Sequence, residues 1–281
     1  MNCQKPIGVF GGGRMGAGIA HAFLLAGVET VVVEANTDAV DAARQRVESS
    51  VRRAAERSGS DSSAVTETLD RLTVTTDSTA LRHCELVIEA VPEIPDLKAE
   101  VLARIEEIAT DAVLATNTSS LSVDGLAADL SRPNLFIGLH FFNPVPASNL
   151  VEIVLGAATD SAVADRARSW VDALDKTSIT VSDSPGFASS RLGVCIALEA
   201  MRMLESKVAS AEDIDTAMTL GYKHPVGPLR TTDIVGLDVR LAIAEHLANE
   251  VGSHFEPPRI LREKVAAGDL GRKSGRGFFT W

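Results

Sequence analysis

A chain of 281 residues, 45% hydrophobic and 23% charged, has the length and balance of one large or two modest soluble domains with a real core. Its formal charge of −11 with no basic block excludes a nucleic-acid partner, because the overall field repels phosphate backbones and any phosphate-bearing ligand must be met by local donors. Cys3, Cys84 and Cys195 form no CxxC pair, so neither a bound metal nor a disulfide framework is indicated, and no run of about 18 apolar residues could span a bilayer.

The opening segment Met1 to Pro6 runs directly into an apolar strand, which is read as leaving no room for a signal peptide. A cytoplasmic protein with no membrane partner is therefore expected. Ile7 to Phe10 reads as that strand, and Gly11-Gly12-Gly13-Arg14-Met15-Gly16 as a GxGxxG at its turn into a helix. Gly11 and Gly13 suit a tight turn and close approach of backbone to a pyrophosphate, with Arg14 and Met15 in the same loop. Gly16 suits packing of the helix on the strand. Ala17 to Ala26 continues as an apolar helix, and Glu29 to Glu34 reads as a second strand ending in an acid 18 residues past Gly16, where a ribose-binding carboxylate belongs. A Gly-rich loop of another purpose and a solvated carboxylate at a strand end remain open at this point.

From Asp38 the residues Val40, Ala43, Val47, Val51 and Ala54 recur at helical spacing, with Arg44, Arg46, Arg52, Arg53 and Arg57 on the other face. After a polar break at Ser58 to Ser63, a short helix to about Asp70 completes a helical hairpin projecting from the sheet. Strand patterns follow at Arg71 to Thr75, Glu85 to Val91, Ala112 to Thr116 and Leu135 to Phe141, with helical patterns between them. This alternation predicts an α/β fold with a doubly wound parallel sheet of Rossmann type. Asn149 to Leu155 and Ser178 to Ser182 read as two more strands around a helix at Ala162 to Leu174. Beyond Pro185 the patterns are all helical: Phe187 to Lys207, Ala211 to Leu220, Thr232 to Val251 and Pro258 to Ala267. The reading is two domains, an N-terminal dinucleotide-binding domain at 1–184 and an all-α domain at 185–281. The helix after Pro185 carries Leu192, Val194, Ile196, Leu198, Met201, Met203 and Leu204 over most of its circumference, more than one core face needs, so a homodimer through the C-terminal domain is expected.

His140 falls at the C-terminal end of a strand pattern, the edge where open α/β sheets place ligands. Twelve residues on, Glu152 lies within the apolar run Leu150 to Val154, where burying an acid is costly without a partner. An imidazole is a natural partner: the carboxylate would fix its tautomer while the other ring nitrogen acts as general base. The same residues also fit a hydrogen-bonded core histidine and a solvated edge acid. Other dehydrogenase chemistries lack their residues. The only tyrosine, Tyr222, is followed four places later by Val226 rather than lysine; Phe187 to Met203 contains no lysine; and three isolated cysteines offer no catalytic zinc set.

Gly11 to Ala20 (GGGRMGAGIA), Leu86 to Ala90 (LVIEA), Asn117 to Ser122 (NTSSLS), His140 to Pro144 (HFFNP), Leu150 to Ile153 (LVEI), Pro185 to Phe187 (PGF), His224 to Leu229 (HPVGPL) and Leu270 to Phe278 (LGRKSGRGF) occur in the order found in the 3-hydroxyacyl-CoA dehydrogenase family. Over nearly its whole length the chain resembles that family, most closely its stand-alone short-chain members. The resemblance implies NAD-dependent interconversion of a short-chain (S)-3-hydroxyacyl-CoA and its 3-ketoacyl-CoA, with acetoacetyl-CoA or 3-hydroxybutyryl-CoA as partner. It makes His140 the base, Glu152 its partner, and Ser119 the serine at the substrate oxygen. It also places Asn143 near the nicotinamide, Glu34 at the ribose, Glu93 and Lys98 beside the cofactor, and Lys273 on the cofactor. Arg52 and Arg53 fall where the family meets CoA. A solvated basic terminus around Lys273 and a solvated helix face at the two arginines fit equally well. The chain departs from the family at Ser190, which stands where many members have an asparagine; serine offers one short hydroxyl in place of an amide. A relative acting on a free hydroxy acid and a non-catalytic dinucleotide-binding protein are the alternatives.

Overall fold

The structure is a computed structural model that describes residues 5–59 and 61–281. Cys3, the start of the opening segment and Ser60 in the polar break lie outside the described residues. The chain divides into two compact units, Met1–Asp183 and Ser184–Trp281.

The first unit carries eight strands: β1 (Ile7–Phe10), β2 (Thr30–Val33), β3 (Leu72–Thr75), β4 (Leu86–Glu89), β5 (Val113–Thr116), β6 (Phe136–Phe141), β7 (Leu150–Leu155) and β8 (Thr177–Ser182). They form one sheet in the order β3-β2-β1-β4-β5-β6-β7-β8. Strands β1, β4, β5 and β6 are buried at every position, as expected of parallel strands covered by helices on both faces. The helices are α1 (Arg14–Leu25), α2 (Thr37–Ser58), α3 (Ser62–Leu69), α4 (Pro95–Ile108), α5 (Val123–Ala127) and α6 (Ser161–Ala173). Asn36 and Asp61 cap α2 and α3 by accepting from the amides of Ala39 and Ala64, while Gly59, in the left-handed region, ends α2. That pair of caps builds the helical hairpin.

Two features depart from the sequence expectation. The sheet is not wholly parallel, because β7 runs antiparallel to β6. Only residues 142–149 join these strands, and a parallel crossover needs about a dozen residues or more. The second concerns the helix expected at Thr232 to Val251, which is two helices broken at Gly236, whose φ of 109° lies outside helical geometry.

The second unit contains α7 (Ser189–Glu205), α8 (Ala211–Thr216), α9 (Pro228–Val235), α10 (Leu237–Glu250) and α11 (Arg259–Ala266), packed around Val194, Leu198, Met201, Leu229, Leu247 and Leu261. Its C-terminal tail is tied down by the buried carboxylate of Asp233, which accepts from the amides of Phe278 and Phe279 and from the Trp281 indole at 2.8–2.9 Å.

His21 on α1 has no exposed surface; its Nδ1 lies 2.7 Å from Ser50 Oγ, and Nε2 has no partner among the described residues. Burial, aided by the positive charges of Arg57, Lys176 and Arg53, lowers its pKa from 6.5 to about 4. The unfolded chain therefore takes up a proton below pH 6.5 that the folded protein refuses until about pH 4. The stability involved is complete above pH 6.5 and is lost as pH falls through that window, amounting to about 3 kcal/mol at most. Urea midpoints at pH 7 and pH 4.5 check this: His21→Asn should lose markedly less stability between the two than the wild type, and equal losses would place the titrating group elsewhere.

Candidate active site

At the turn from β1 into α1, Gly11 holds a φ of 96°, and a Cβ at Gly16 would lie 1.8 Å from the Gly11 carbonyl oxygen, so neither position admits a side chain. A Cβ at Gly13 would meet nothing within 4 Å, which leaves the loop open on its ligand side. Among the described residues no side chain caps the first turn of α1, and that turn carries no acid, so its N–H groups remain available to an anion. Met15 packs against the core instead. Glu34, following β2, accepts from the Gly12 amide at 2.7 Å through Oε1 and from the Ala35 amide at 3.3 Å through Oε2. Loop and carboxylate border a cavity of about 540 Å³, walled also by Arg46, Val91, Pro92 and Arg104. These residues fit a dinucleotide: an open glycine cradle, free helix N–H donors and an acid at the ribose position. Arg46 and Arg104 are already engaged, the first donating to the Gly12 carbonyl at 3.3 Å and the second to Ser78 Oγ at 3.0 Å.

His140 and Glu152 are direct partners across the antiparallel β6–β7 pair, which puts both side chains on one face of the sheet. Nδ1 of His140 lies 2.7 Å from Glu152 Oε2; the histidine is 7% exposed and the acid 0%. The Phe142 ring sits 4.5 Å from the imidazole, centroid to centroid. Asn117, following β5, accepts from the Phe141 amide at 3.0 Å and ties the end of β6 to the neighbouring loop.

That loop carries Ser119. Oε1 of Glu93 accepts from Thr118 Oγ1 at 2.6 Å, from the amides of Ser119 and Ser120 at 2.8 and 3.1 Å, and from both serine hydroxyls at 3.3 and 3.0 Å. Burial works against ionisation of Glu93, but these donors and the Lys98 charge together outweigh it and hold the carboxyl below its ordinary range. Lys98 is 1% exposed and lies between two acids, 3.2 Å from Glu93 Oε2 and 2.7 and 3.0 Å from the oxygens of Glu89. It therefore reaches the site through Glu93 rather than by its own surface. Glu89 was not singled out in the sequence, although LVIEA offers the same signal that marked Glu152, an acid inside an apolar run.

A second cavity of about 540 Å³ is lined by Arg14, Arg46, Arg53, Ser49, Ser50 and Asn143, among others. Asn143 belongs to this wall rather than to the one beside Glu34. Arg53 lines it as well; Arg52, one residue earlier on α2, is exposed and does not. Helical spacing could not rank the arginines of α2, because the wall is completed by residues 143–146, far away in sequence. In the second unit, Ser190 lies in the first turn of α7, half-buried. Lys273 forms an ion pair with Asp238 at 2.6 Å, and this hydrogen bond holds the Asp238 carboxyl below its usual range.

The position of Glu34 predicts selectivity for a ribose 2′-hydroxyl over a 2′-phosphate, since a second anion beside the carboxylate is repelled. Glu34→Ala should lower the ratio of kcat/KM for NADH over NADPH by about tenfold or more, a repulsion on the order of 1.4 kcal/mol. An unchanged ratio would remove Glu34 from cofactor discrimination.

Residues 6–184 match the family model described as 3-hydroxyacyl-CoA dehydrogenase, NAD binding domain, and residues 186–281 the one described as 3-hydroxyacyl-CoA dehydrogenase, C-terminal domain. The chain is 42% identical over 281 residues to a 3-hydroxybutyryl-CoA dehydrogenase of Mycobacterium tuberculosis, an alignment covering 99% of this chain and 98% of the relative. It is 37% identical over 279 residues to a probable 3-hydroxybutyryl-CoA dehydrogenase of Bacillus subtilis, with 99% and 97% covered. The crystal structure of (S)-3-hydroxybutyryl-CoA dehydrogenase from Ralstonia eutropha matches with a TM-score of 0.94 at 39% identity, covering 98% of each chain. By family models spanning nearly all of its length and by these full-length likenesses, the chain belongs to the 3-hydroxyacyl-CoA dehydrogenase family.

Proposed function

We propose that this protein is an NAD-dependent dehydrogenase that interconverts short-chain (S)-3-hydroxyacyl-CoA and 3-ketoacyl-CoA, with 3-hydroxybutyryl-CoA and acetoacetyl-CoA as the substrate pair. The observation that carries the reading is the buried His140–Glu152 pair, 2.7 Å apart at the sheet edge where open α/β folds bind ligands. Nδ1–H of His140 donates a hydrogen bond to the Glu152 carboxylate, which fixes the tautomer and makes Nε2 the base. In the oxidative direction His140 takes the proton of the C3 hydroxyl, and the neighbouring carboxylate stabilises the imidazolium that results. In the reductive direction the same nitrogen returns the proton to the nascent alkoxide. Bound NAD supplies the hydride acceptor or donor. Ser119 contributes a hydroxyl at the reacting oxygen, and Ser190 offers one where other members place an asparagine amide.

The arginine-bearing cavity supports the thioester reading. Arg14, Arg46 and Arg53 concentrate positive charge in a chain whose formal charge is −11, which suits the phosphates of a CoA moiety. A free hydroxy acid needs no such arrangement. Lys273, paired with Asp238, is assigned to the cofactor on the family pattern alone. The scattered cysteines favour the cytoplasm.

Turnover of acetoacetyl-CoA with NADH tests the reading directly, and free acetoacetate should not replace the thioester. His140→Gln should lower kcat by about 10²- to 10⁴-fold with NADH affinity nearly intact, and Glu152→Gln should act similarly. The double variant should be little worse than the worse single one, because the two residues act as a unit. Losses that multiply would speak against a dyad.

The assembly we infer is a homodimer through the second unit. On α7, Val194, Leu198 and Met201 are buried within the unit, yet Leu192 on the same helix remains 64% exposed and Ile196 36%. A second copy covering this face would remove that apolar surface from water. Sedimentation at micromolar concentration should give a dimer that Leu192→Glu weakens, whereas a monomeric wild type would refute the arrangement.

A further inference from the structure

The reading of Ser119 as the substrate-oxygen contact leaves open what holds its loop in place, and the answer lies below the site surface. Glu89 is the last residue of β4 and has no exposed surface. Its carboxylate is fully engaged: Oε1 accepts from the Val91 amide at 2.7 Å and from Lys98 Nζ at 2.7 Å, while Oε2 accepts from Lys98 Nζ at 3.0 Å and from Thr116 Oγ1 at 2.8 Å. Two routes lead from it to the loop at 118–120. Along one, the Thr116 hydroxyl that donates to Glu89 also accepts from the Thr118 amide at 3.2 Å. Along the other, Lys98 bridges Glu89 to Glu93, whose Oε1 gathers the donors of Thr118, Ser119 and Ser120.

Lys98 is the element under competition. A buried ammonium requires a close counter-charge, because its desolvation is not offset otherwise. Glu89 holds it in a two-oxygen contact at 2.7 and 3.0 Å, so that Glu93 stands off at 3.2 Å and keeps its other oxygen for the loop. Without the Glu89 charge, Glu93 is the one carboxylate left to Lys98. It would be drawn toward the ammonium and away from the amides it now holds.

We propose that Glu89 is a positioning residue for Ser119: by satisfying Lys98 it leaves the Glu93 carboxylate on the 118–120 loop, and through Thr116 it braces the same loop from below. This rests on the proposed role of Ser119 and extends it to a residue that touches neither substrate nor cofactor.

Glu89→Gln keeps the shape and removes the charge. With acetoacetyl-CoA and saturating NADH, kcat should fall about tenfold while KM for acetoacetyl-CoA stays within about twofold, as for an interaction realised in the transition state. Because Glu89 acts through Ser119, Glu89→Gln combined with Ser119→Ala should be no slower than Ser119→Ala within about twofold. Adding Lys98→Met to Glu89→Gln removes the competing cation and should recover at least about threefold of the lost kcat; a merely structural role predicts no recovery.

The outcomes separate the two readings. If Ser119→Ala turns over at the wild-type rate, the substrate-oxygen assignment of Ser119 falls and the proposal falls with it. If Ser119→Ala is slow but Glu89→Gln is not, if their losses multiply, or if Lys98→Met brings no recovery, the proposal alone is overturned. Should Glu89→Gln fail to fold, Glu89→Gln/Lys98→Met carries the test. A kcat at least about threefold above that of Ser119→Ala supports the proposal, and one no higher than that of Ser119→Ala overturns it.

Discussion

A carboxylate with no exposed surface in the middle of a strand sets the terms for the rest of the first unit. Glu152 can be buried there because the antiparallel register places His140 directly opposite, with Nδ1 at 2.7 Å. That register in turn requires the short turn after HFFNP to reverse the chain, the one antiparallel pairing in an otherwise parallel sheet. The imidazole is thereby fixed on strands, which hold geometry better than loops do. Asn117, accepting from the Phe141 amide, anchors the same strand end to the loop that carries Ser119.

The other groups of the site are placed by one feature of the parallel strands: all of them end on one edge. Phe10, Val33 and Glu89 are at the same level across β1, β2 and β4, and Thr116 lies beside Glu89. Residues just past these positions supply the glycine loop, Glu34, Glu93 and Ser119. Each comes from a different connection, yet their separations are set by strand spacing rather than by the length of chain between them.

Electrostatics is handled locally. The chain as a whole is anionic, yet the glycine loop offers backbone N–H groups and the second cavity is lined by arginines of α1 and α2. Beneath the sheet edge, Glu89, Lys98 and Glu93 alternate in sign, so the buried ammonium has a carboxylate on each side. The same logic applied to His21 has a different result: burial, aided by the charges of Arg57, Lys176 and Arg53, disfavours the protonated imidazole.

How much of this could be read beforehand depends on whether the determining contacts are local. Strand and helix patterns, the GxGxxG turn and the acid after β2 follow from short-range periodicity and turn chemistry, and all eight strands of the sheet stand where apolar runs predicted them. A strand-end histidine and an acid inside an apolar run singled out His140 and Glu152, and family motifs added Ser119 and Glu93. The antiparallel turn was present in the sequence as a connection too short for a crossover, and the break at Gly236 as a single residue whose backbone geometry depends on its neighbours. What only the tertiary structure decided is which groups share a partner. Lys98 proved to be divided between Glu89 and Glu93, Asn143 to line the arginine-bearing cavity, and Arg53 rather than Arg52 to face it. These are contacts between elements remote in sequence, and no local pattern encodes them because the distances that create them exist only once the sheet has assembled.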